Sequence, residues 1–442
     1  MKEMPKPIIR TLPSLFFWQL IAVATGLVTQ IVLARSLGPH DKGILDLFLL
    51  IPVVVTSVTE LGLLSANTYY AGKGTIDLQT LHSNSVVWSA GIGALVLAIG
   101  TGLYAFVGSP FAALTGFFFL LSLAATAPSL YYSFWSGLMY GSDETKKVYL
   151  LSGLSSIISL ITYLLAIGFG SSLNWLLALS CALIFIKSSL SLLAIRSKVS
   201  LHIVFNDQAL KRSLVYGVAL YTGLAINTLH FRLDQFIVNS MLGPSDLGYY
   251  ALAVRIAELV WLLDYVVVTA SLYRVTSATR AEAIVITQRS LRLVAVLVII
   301  PTVAIFALAP VLLPIMFGEA FQPSILPLWL LLPGIVSWSL ARSLSPFISY
   351  QCGKPWYNTM GAVVAFAANL GANVILIPKL GVAGAALASS ISYALNLAII
   401  ASIFFRLSDA RFLETFLPRR EDIALVINIA KERYLQFVSR TG

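Results

Sequence analysis

The chain has 442 residues, of which 58% are hydrophobic and only 11% are charged. Soluble proteins carry about 25% charged residues, so this composition excludes a water-soluble globule, a disordered chain and a nucleic-acid-binding protein. The mean hydropathy of +0.88 places the chain in a lipid bilayer.

A helix needs about 20 apolar residues to cross about 30 Å of hydrocarbon, and the sequence contains twelve such runs. The first six extend roughly over Leu12 to Ala34, Ile44 to Ala66, Asn84 to Val107, Phe111 to Gly137, Val148 to Gly168, and Leu173 to Ile195. The last six extend over Leu214 to Met241, Gly248 to Ser271, Leu291 to Leu313, Ser324 to Tyr350, Trp356 to Ile377, and Gly381 to Phe405. Runs this long predict an all-α polytopic membrane protein with twelve transmembrane helices, because lipid leaves no partner for unpaired backbone groups.

The positive charges predict the orientation of these spans. With the N-terminus in the cytoplasm, 22 of the 29 Lys and Arg residues fall in cytoplasmic segments and 3 on the opposite side. The remaining four, Lys187, Arg232, Arg255 and Arg342, fall inside spans. This bias follows the positive-inside rule and predicts a plasma (inner) membrane protein with both termini in the cytoplasm.

The distribution of the spans predicts the domain organisation. Residues 1–195 are expected to form an N-terminal six-helix bundle, 196–213 a cytoplasmic linker, 214–405 a C-terminal six-helix bundle, and 406–442 a cytoplasmic amphipathic tail. No gap before the tail exceeds about twenty residues, which leaves no room for a folded catalytic domain. We therefore expect a protein that is not an enzyme, and the four histidines have no metal-binding spacing.

A turn motif recurs between the two halves. Leu37-Gly38-Pro39-His40-Asp41-Lys42-Gly43 follows the first span, and Leu242-Gly243-Pro244-Ser245-Asp246-Leu247-Gly248 follows the seventh. A second pair, Gly141 and Gly353, follows the fourth and tenth spans. These two recurrences favour a duplicated unit of six helices. Because six is an even number, both halves enter the membrane from the same side, so the two bundles should be parallel repeats around a central cavity.

The repeated motif also resembles a known family. Val32-Leu33-Ala34-Arg35-Ser36-Leu37-Gly38-Pro39 and Asp234-Gln235-Phe236-Ile237-Val238 are similar to segments of the Wzx-type oligosaccharide flippases of the MOP superfamily. Phe317-Gly318-Glu319-Ala320-Phe321 and the segment from Ile375 to Ala386 are similar to the C-terminal half of that family. The resemblance covers roughly Thr11 to Phe405.

This resemblance implies a flippase that moves a polyprenyl-pyrophosphate-linked oligosaccharide from the cytoplasmic to the outer leaflet by alternating access, for polysaccharide biosynthesis such as that of O-antigen. It implies membrane lipids and a polysaccharide polymerase as further partners, no nucleic acid and no bound cofactor, with H⁺ or Na⁺ as candidate coupling ions. The same superfamily leaves two alternatives, a MATE-like exporter of small organic cations and a peptidoglycan-precursor flippase.

Cations inside the spans are the candidates for anion binding. A pyrophosphate cannot be desolvated in hydrocarbon without partners, and Arg pairs well with phosphate oxygens. The candidates for binding the substrate pyrophosphate are Arg342, Arg255, Arg232 and Arg35. Arg342 has no acid near it in sequence, whereas Arg232 and Arg255 could form local ion pairs with Asp234 and Glu258. Lys187 is interpreted as snorkelling to the cytoplasmic interface.

Acidic residues inside the spans have two interpretations. Glu60, Asp46, Asp234, Glu258 and Asp264 are candidates for ion coupling, or they neutralise buried arginines and hold the bundles together. Asp46, Glu60 and Asn67 are spaced so that they form one polar stripe down the second span. Aromatic residues cluster in two spans and are interpreted mainly as a belt at the membrane interface. The fourth span contains Tyr131, Tyr132, Trp135 and Tyr140, and the eighth contains Trp261 and Tyr265.

Overall fold

The computed structural model describes residues 12–200 and 202–417, and every regular element within these ranges is helical. The amphipathic tail predicted for residues 406–442 lies mostly outside the described residues. The helices are α1 (Leu12–Thr59), α2 (Leu63–Lys73), α3 (Leu78–Val107), α4 (Gly116–Ala124), α5 (Thr126–Gly141), α6 (Thr145–Gly168), α7 (Leu173–Ile195), α8 (Asp207–Leu242), α9 (Pro244–Glu258), α10 (Trp261–Ser277), α11 (Arg280–Phe317), α12 (Ile325–Pro346), α13 (Trp356–Leu380), α14 (Val382–Ser408) and α15 (Phe412–Phe416). A 3₁₀ helix (Glu319–Ser324) precedes α12, and a π-helical turn (Phe347–Gln351) follows it.

The all-α membrane fold is confirmed, but the count of twelve spans is not. Nine helices in the described part of the chain are long and apolar enough to cross a membrane, or ten if α8, which bends by 59°, is counted. The count differs at two places. Helix α1 contains the first two predicted spans and counts once, although non-helical backbone at Gly38 (φ 68°, ψ 178°) divides it into two helices. The eighth predicted span is divided between α9 and α10, whose 15 and 17 residues are each too few to cross alone.

The second predicted span is interrupted, which corrects the prediction of a polar stripe. Helix α1 ends at Thr59, and the backbone passes through Leu61 (φ 48°) and Gly62 (φ 74°) before α2 begins at Leu63. The interruption packs against α8, where a Cβ on Gly62 would overlap the carbonyl group of Gly217. Asp46, Glu60 and Asn67 therefore do not lie along one continuous helix.

Two compact units can be described separately. The first comprises the described residues up to 248 with 316–320, and its core includes Trp135, Leu138 and Met139 of α5, all with no exposed surface. Helices α2 and α5 approach closely at Gly137, where a Cβ would overlap the Leu64 carbonyl oxygen. Small residues permit such close approach in membrane bundles. The burial of Trp135 and Tyr131 corrects their interpretation as an interfacial belt.

The second unit comprises residues 249–315 with 321–417. Helix α14 packs against both α12 and α13, and α10 packs against α12. Leu344 and Phe347 pack against Phe404 in its core. Gly334 of α12 lies against Ser390 of α14, where a Cβ would contact the Ser390 backbone at 2.6 Å. This contact brings Trp338, one turn further along α12, close to Tyr393.

Four positions with positive φ recur between the halves of the chain. They are Gly38 and Gly243, Gly108 and Gly318, Asp143 and Gly353, and Gly170 and Gly381. Gly38 (φ 68°, ψ 178°) and Gly243 (φ 96°, ψ −179°) have nearly the same backbone conformation, which strongly favours glycine. The partner of Gly353 is Asp143 rather than Gly141, which is helical. The boundaries of two six-helix halves stay a prediction, which these four pairs support.

Candidate functional site

The best-defined polar site of the second unit centres on Arg342 of α12. Its Nη1 atom donates a hydrogen bond to Asp264 Oδ1 of α10 at 3.0 Å. The Asp264 side chain has no exposed surface, whereas 27% of the Arg342 side chain is exposed. The guanidinium lies 5.3 Å from the ring centroid of Trp261. The premise that Arg342 lacks an acidic neighbour was therefore wrong, because it rested on distance along the sequence.

Aromatic rings surround this ion pair. Tyr393 packs against Trp338 with 5.3 Å between centroids and against Trp261 with 6.2 Å, and the Trp261 Nε1 atom donates to the Ile335 carbonyl at 3.3 Å. Trp261 is therefore part of the unit's packing rather than an interfacial belt. A partly exposed guanidinium beside indole and phenol rings combines a charged donor with apolar faces, the two features that a phosphorylated sugar requires. We define Arg342, Asp264, Trp261, Trp338 and Tyr393 as the Arg342 cluster.

Arg35 lies at the C-terminal end of α11, and its assignment to anion binding stays a prediction. Its Nε atom donates to the Met316 carbonyl oxygen at 2.8 Å, at the C-terminal end of α11. Carbonyls of a last helical turn lack intrahelical donors and carry partial negative charge, so a guanidinium there is favourable. The side chain is exposed. Its observed contact is thus that of a helix cap.

The other two candidate arginines differ in exposure. Arg232 is half-buried in α8, two residues before Asp234, which is buried and accepts a hydrogen bond from the Gln235 N–H at 2.7 Å. Arg255 is exposed on α9, and Glu258 is half-buried on the same helix. The assignment of these four residues to anion binding or to ion coupling stays a prediction.

Asp46 and Glu60 have different surroundings. Asp46 forms an ion pair with Lys42 at 2.5 Å, and both side chains are nearly fully buried. Glu60 lies in the interruption between α1 and α2, half-buried, and accepts a hydrogen bond from Tyr221 of α8 at 3.4 Å. A carboxylate at an interrupted membrane helix can bind or release a cation more readily than one already paired with lysine.

Lys187 does not extend toward an interface as the sequence analysis interpreted. Its Nζ atom lies 3.9 Å from the ring centroid of Tyr132, and its side chain lines a cavity among α1, α6 and α7. Snorkelling would place the ammonium in water, whereas here it faces an aromatic ring of the same unit.

Some of these relationships had a signal in the sequence and others had none. Trp338 and Arg342, and Trp261 and Asp264, are spaced by one helical turn, so each pair could have been placed on one helix face. The pairing of Asp264 with Arg342 spans 78 positions, and that of Glu60 with Tyr221 spans 161. No local pattern indicates such pairs.

Comparison with known proteins agrees with this architecture. A profile of the family described as "Polysaccharide biosynthesis protein" (Polysacc_synt_3) matches residues 32–326. No curated protein matches the chain in sequence.

Several solved structures share the fold. The lipid II flippase MurJ in an inward closed conformation is similar with a TM-score of 0.73 and 15% identity, covering 91% of this chain and 88% of that one. An inward-facing multidrug resistance MATE family transporter of the MOP superfamily has a TM-score of 0.70 and 14% identity, covering 88% and 94%. A third similar structure is a MOP superfamily transporter from Pyrococcus furiosus, whose binding pocket is described as having reverse polarity. It has a TM-score of 0.64 and 13% identity, covering 91% of this chain and 95% of that one.

At these identities the structural similarity establishes the fold, whereas the profile match covers more than half of the sequence. This multi-pass membrane protein has the MOP-superfamily fold, and it belongs to the polysaccharide biosynthesis protein family.

Proposed function

We propose that this protein is a flippase that moves a polyprenyl-pyrophosphate-linked oligosaccharide from the cytoplasmic to the outer leaflet of the plasma membrane. The proposal combines the family membership with one observation, the partly exposed Arg342 guanidinium held beside Trp261 by a buried carboxylate. Both termini are placed in the cytoplasm by the charge bias, and the glycan's lipid anchor stays in the membrane.

The geometry of Arg342 supports a role in contacting phosphate or an acidic sugar. A guanidinium has five N–H donors, and the bond to Asp264 uses one of them. Asp264 fixes the orientation of the guanidinium, and the exposed part of Arg342 keeps further donors available to an anion. The neighbouring indole offers an apolar surface to a sugar ring.

For ion coupling we propose Glu60 rather than Asp46. Asp46 is held by Lys42, so its release to exchange an ion would break a buried ion pair. Glu60 lies at a helix interruption and is held by hydrogen bonds, among them one of 3.4 Å from Tyr221, rather than by a buried lysine. Protonation or sodium binding at Glu60 would couple an ion gradient to transport.

The proposed function can be tested in proteoliposomes that carry a fluorescent polyprenyl-pyrophosphate oligosaccharide. Modification of the glycan by a membrane-impermeant reagent reports its exposure on the outer surface. We expect the wild-type protein to raise the rate of exposure at least tenfold over protein-free vesicles. Arg342→Ala should lose most of that increase, whereas Arg411→Ala, which removes an exposed arginine from the α15 region, should keep it.

The alternative of a cation exporter is favoured by one observation, the fully buried Asp264 beside aromatic rings. The same vesicles distinguish the two functions. Uptake of a fluorescent organic cation without any exposure of the lipid-linked glycan would contradict the flippase assignment, as would glycan exposure that does not depend on the protein.

A further inference from the structure

A polar cavity lies in the first unit. Its volume is about 330 Å³, and it lies among α1, α6 and α7. The residues with polar groups that line it are Ser152, Ser155, Ser156, Ser159, Tyr163, Ser180 and Lys187. We call it the serine cavity. Serine is common where membrane helices pack closely, but here the hydroxyl groups line a space that the helices leave open.

Most of these hydroxyls have protein partners, but one does not. Ser156 Oγ accepts from Thr25 Oγ1 at 2.7 Å, and Tyr163 and Ser180 share a hydrogen bond of 2.6 Å. Ser159 Oγ donates to the Ser155 carbonyl at 2.8 Å. The Ser155 Oγ atom is itself buried and has no hydrogen-bond partner among the described residues. An unsatisfied buried hydroxyl costs about 1–3 kcal/mol, which a polar ligand would recover.

The cavity carries a net positive charge. The Lys187 ammonium lies at one end of it over the Tyr132 ring, and no carboxylate within the described ranges forms an ion pair with it. Asp46, which is close enough to act electrostatically on Tyr163, is neutralised by Lys42. Lys187 and Ser180 are separated by about 10 Å along α7, at 1.5 Å per residue. A ligand would therefore meet hydroxyls along this length and a cation at one end.

We propose that the serine cavity binds one acidic sugar residue of the glycan, with its carboxylate at Lys187 and its ring hydroxyls at the serines. The volume is at the lower end of the roughly 300–1,000 Å³ typical of ligand pockets, which suits one ring rather than a chain. Serine hydroxyls both donate and accept, so they match the hydroxyls of a sugar. This proposal rests on the proposed function and names a specificity site for it.

The test measures ligand binding by the purified protein in phosphatidylcholine nanodiscs, so that it does not depend on transport. The probes are methyl β-glucuronide, methyl β-glucoside and inorganic phosphate, followed by saturation-transfer NMR and by thermal melting. We expect saturable binding of the glucuronide, at least tenfold tighter than that of the glucoside or of phosphate. Lys187→Met should weaken glucuronide binding at least tenfold, and Ser155→Ala should weaken it severalfold.

Two control variants match these changes outside the cavity. Lys354→Met removes an exposed lysine that lies over Tyr357, and Ser129→Ala removes a hydroxyl that bonds the Ala125 carbonyl within its own helix. Both should bind the glucuronide as the wild type does. Lys187→Arg, which keeps the charge, serves as a second variant and should keep most of the affinity.

Three results would overturn the assignment. They are no saturable glucuronide binding, glucuronide binding unchanged in Lys187→Met, and phosphate binding as tight as that of the glucuronide. If the vesicles flip neutral lipid-linked glycans while the glucuronide does not bind, this proposal fails and the flippase stands. If the glucuronide binds as expected but no glycan is flipped, the flippase fails and the sugar site stands.

Discussion

Gly43 and Gly248 occupy equivalent positions in the two copies of the repeated turn, and each packs against the backbone of the other copy. A Cβ on Gly43 would overlap the carbonyl oxygen of Pro244, and a Cβ on Gly248 would overlap that of Pro39. The contact is reciprocal, as expected for two related segments that meet around a pseudo-two-fold axis. It gives a physical reason for the last glycine of each motif.

We therefore predict that Gly43→Ala and Gly248→Ala each destabilise the protein by about 1–3 kcal/mol, the usual cost of overpacking. The overlapped atoms belong to the backbone and cannot rotate away. Thermal unfolding in nanodiscs would measure the effect. Gly91→Ala is the matched control, because a Cβ there meets nothing within 4 Å, and it should be neutral or stabilising. Equal melting temperatures for all three variants would contradict the reciprocal contact.

A second prediction concerns the ion pair of Arg342 and Asp264. Arg342→Leu leaves a fully buried carboxylate without its partner, so it should destabilise the protein more than the double variant Arg342→Leu with Asp264→Leu. We expect a coupling free energy of about 0.5–3 kcal/mol from the double-mutant cycle. Urea or thermal unfolding of the four proteins measures it. Additive effects would show that the two side chains do not interact.

The contact of Arg35 with α11 predicts a structural effect. Arg35→Gln should lower stability by about 0.3–1 kcal/mol, because the last turn of α11 loses a positive charge at its carbonyl end. In the vesicle assay, the folded variant should discriminate charged from neutral glycans as the wild type does. A lost preference for charged glycans together with unchanged stability would instead assign Arg35 to anion binding.

Glu60 and Asp46 should respond differently to neutralisation. Glu60→Gln is expected to melt close to the wild type while glycan exposure loses its dependence on a proton or sodium gradient. Asp46→Asn should instead lower the melting temperature strongly, because it breaks the buried ion pair with Lys42. The measurements are thermal unfolding and transport with and without an imposed gradient. The reverse pattern would exchange the two roles.

Asp77 provides a pH-dependent prediction outside the membrane spans. It caps α3 by accepting a hydrogen bond from the Thr80 N–H at 2.8 Å, and hydrogen bonding by Thr80 lowers the pKa of Asp77 below its ordinary 3.8. A lowered pKa means that the carboxylate stabilises the fold above pH 3.8 and loses this contribution as the pH falls through its folded pKa. Asp77→Ala should cost about 1 kcal/mol at neutral pH.

Asp77→Asn separates the cap from the charge. Asparagine also caps helices, so this variant should keep most of the neutral-pH stability and lose the part of the acid dependence that Asp77 causes. Thermal unfolding between pH 3 and pH 7 would measure both effects. An acid profile identical to that of the wild type would show that the Asp77 carboxylate does not contribute.

Much of the fold could be predicted because a membrane helix is recognisable from the hydropathy of its own residues. Each apolar run predicts a helix without knowledge of its neighbours, and α3, α6, α7, α13 and α14 follow the predicted spans closely. The interruption at Leu61 and Gly62 could not be predicted from hydropathy. It depends on the packing of the Gly62 backbone against Gly217, which lies 155 positions away.

The candidate residues show the same division. The sequence identified Arg342 and Lys187 as cations within membrane spans. An ionised side chain in hydrocarbon is energetically costly, so each one indicates a structural or functional role. It could not identify their surroundings. Asp264 and Trp261 reach Arg342 from another helix, and Tyr132 reaches Lys187 in the same way.

The sequence by itself determined that this protein crosses a membrane with helices, that it repeats a Gly-Pro turn, and that it carries cations within its spans. These properties depend on the chemistry of neighbouring residues in one chain segment. Only the tertiary structure decided that Arg342 is paired with Asp264, and that serines of α6 line one cavity with Lys187 of α7. Each of these depends on which helix faces meet, and in lipid that choice is made by packing and hydrogen bonding between distant segments.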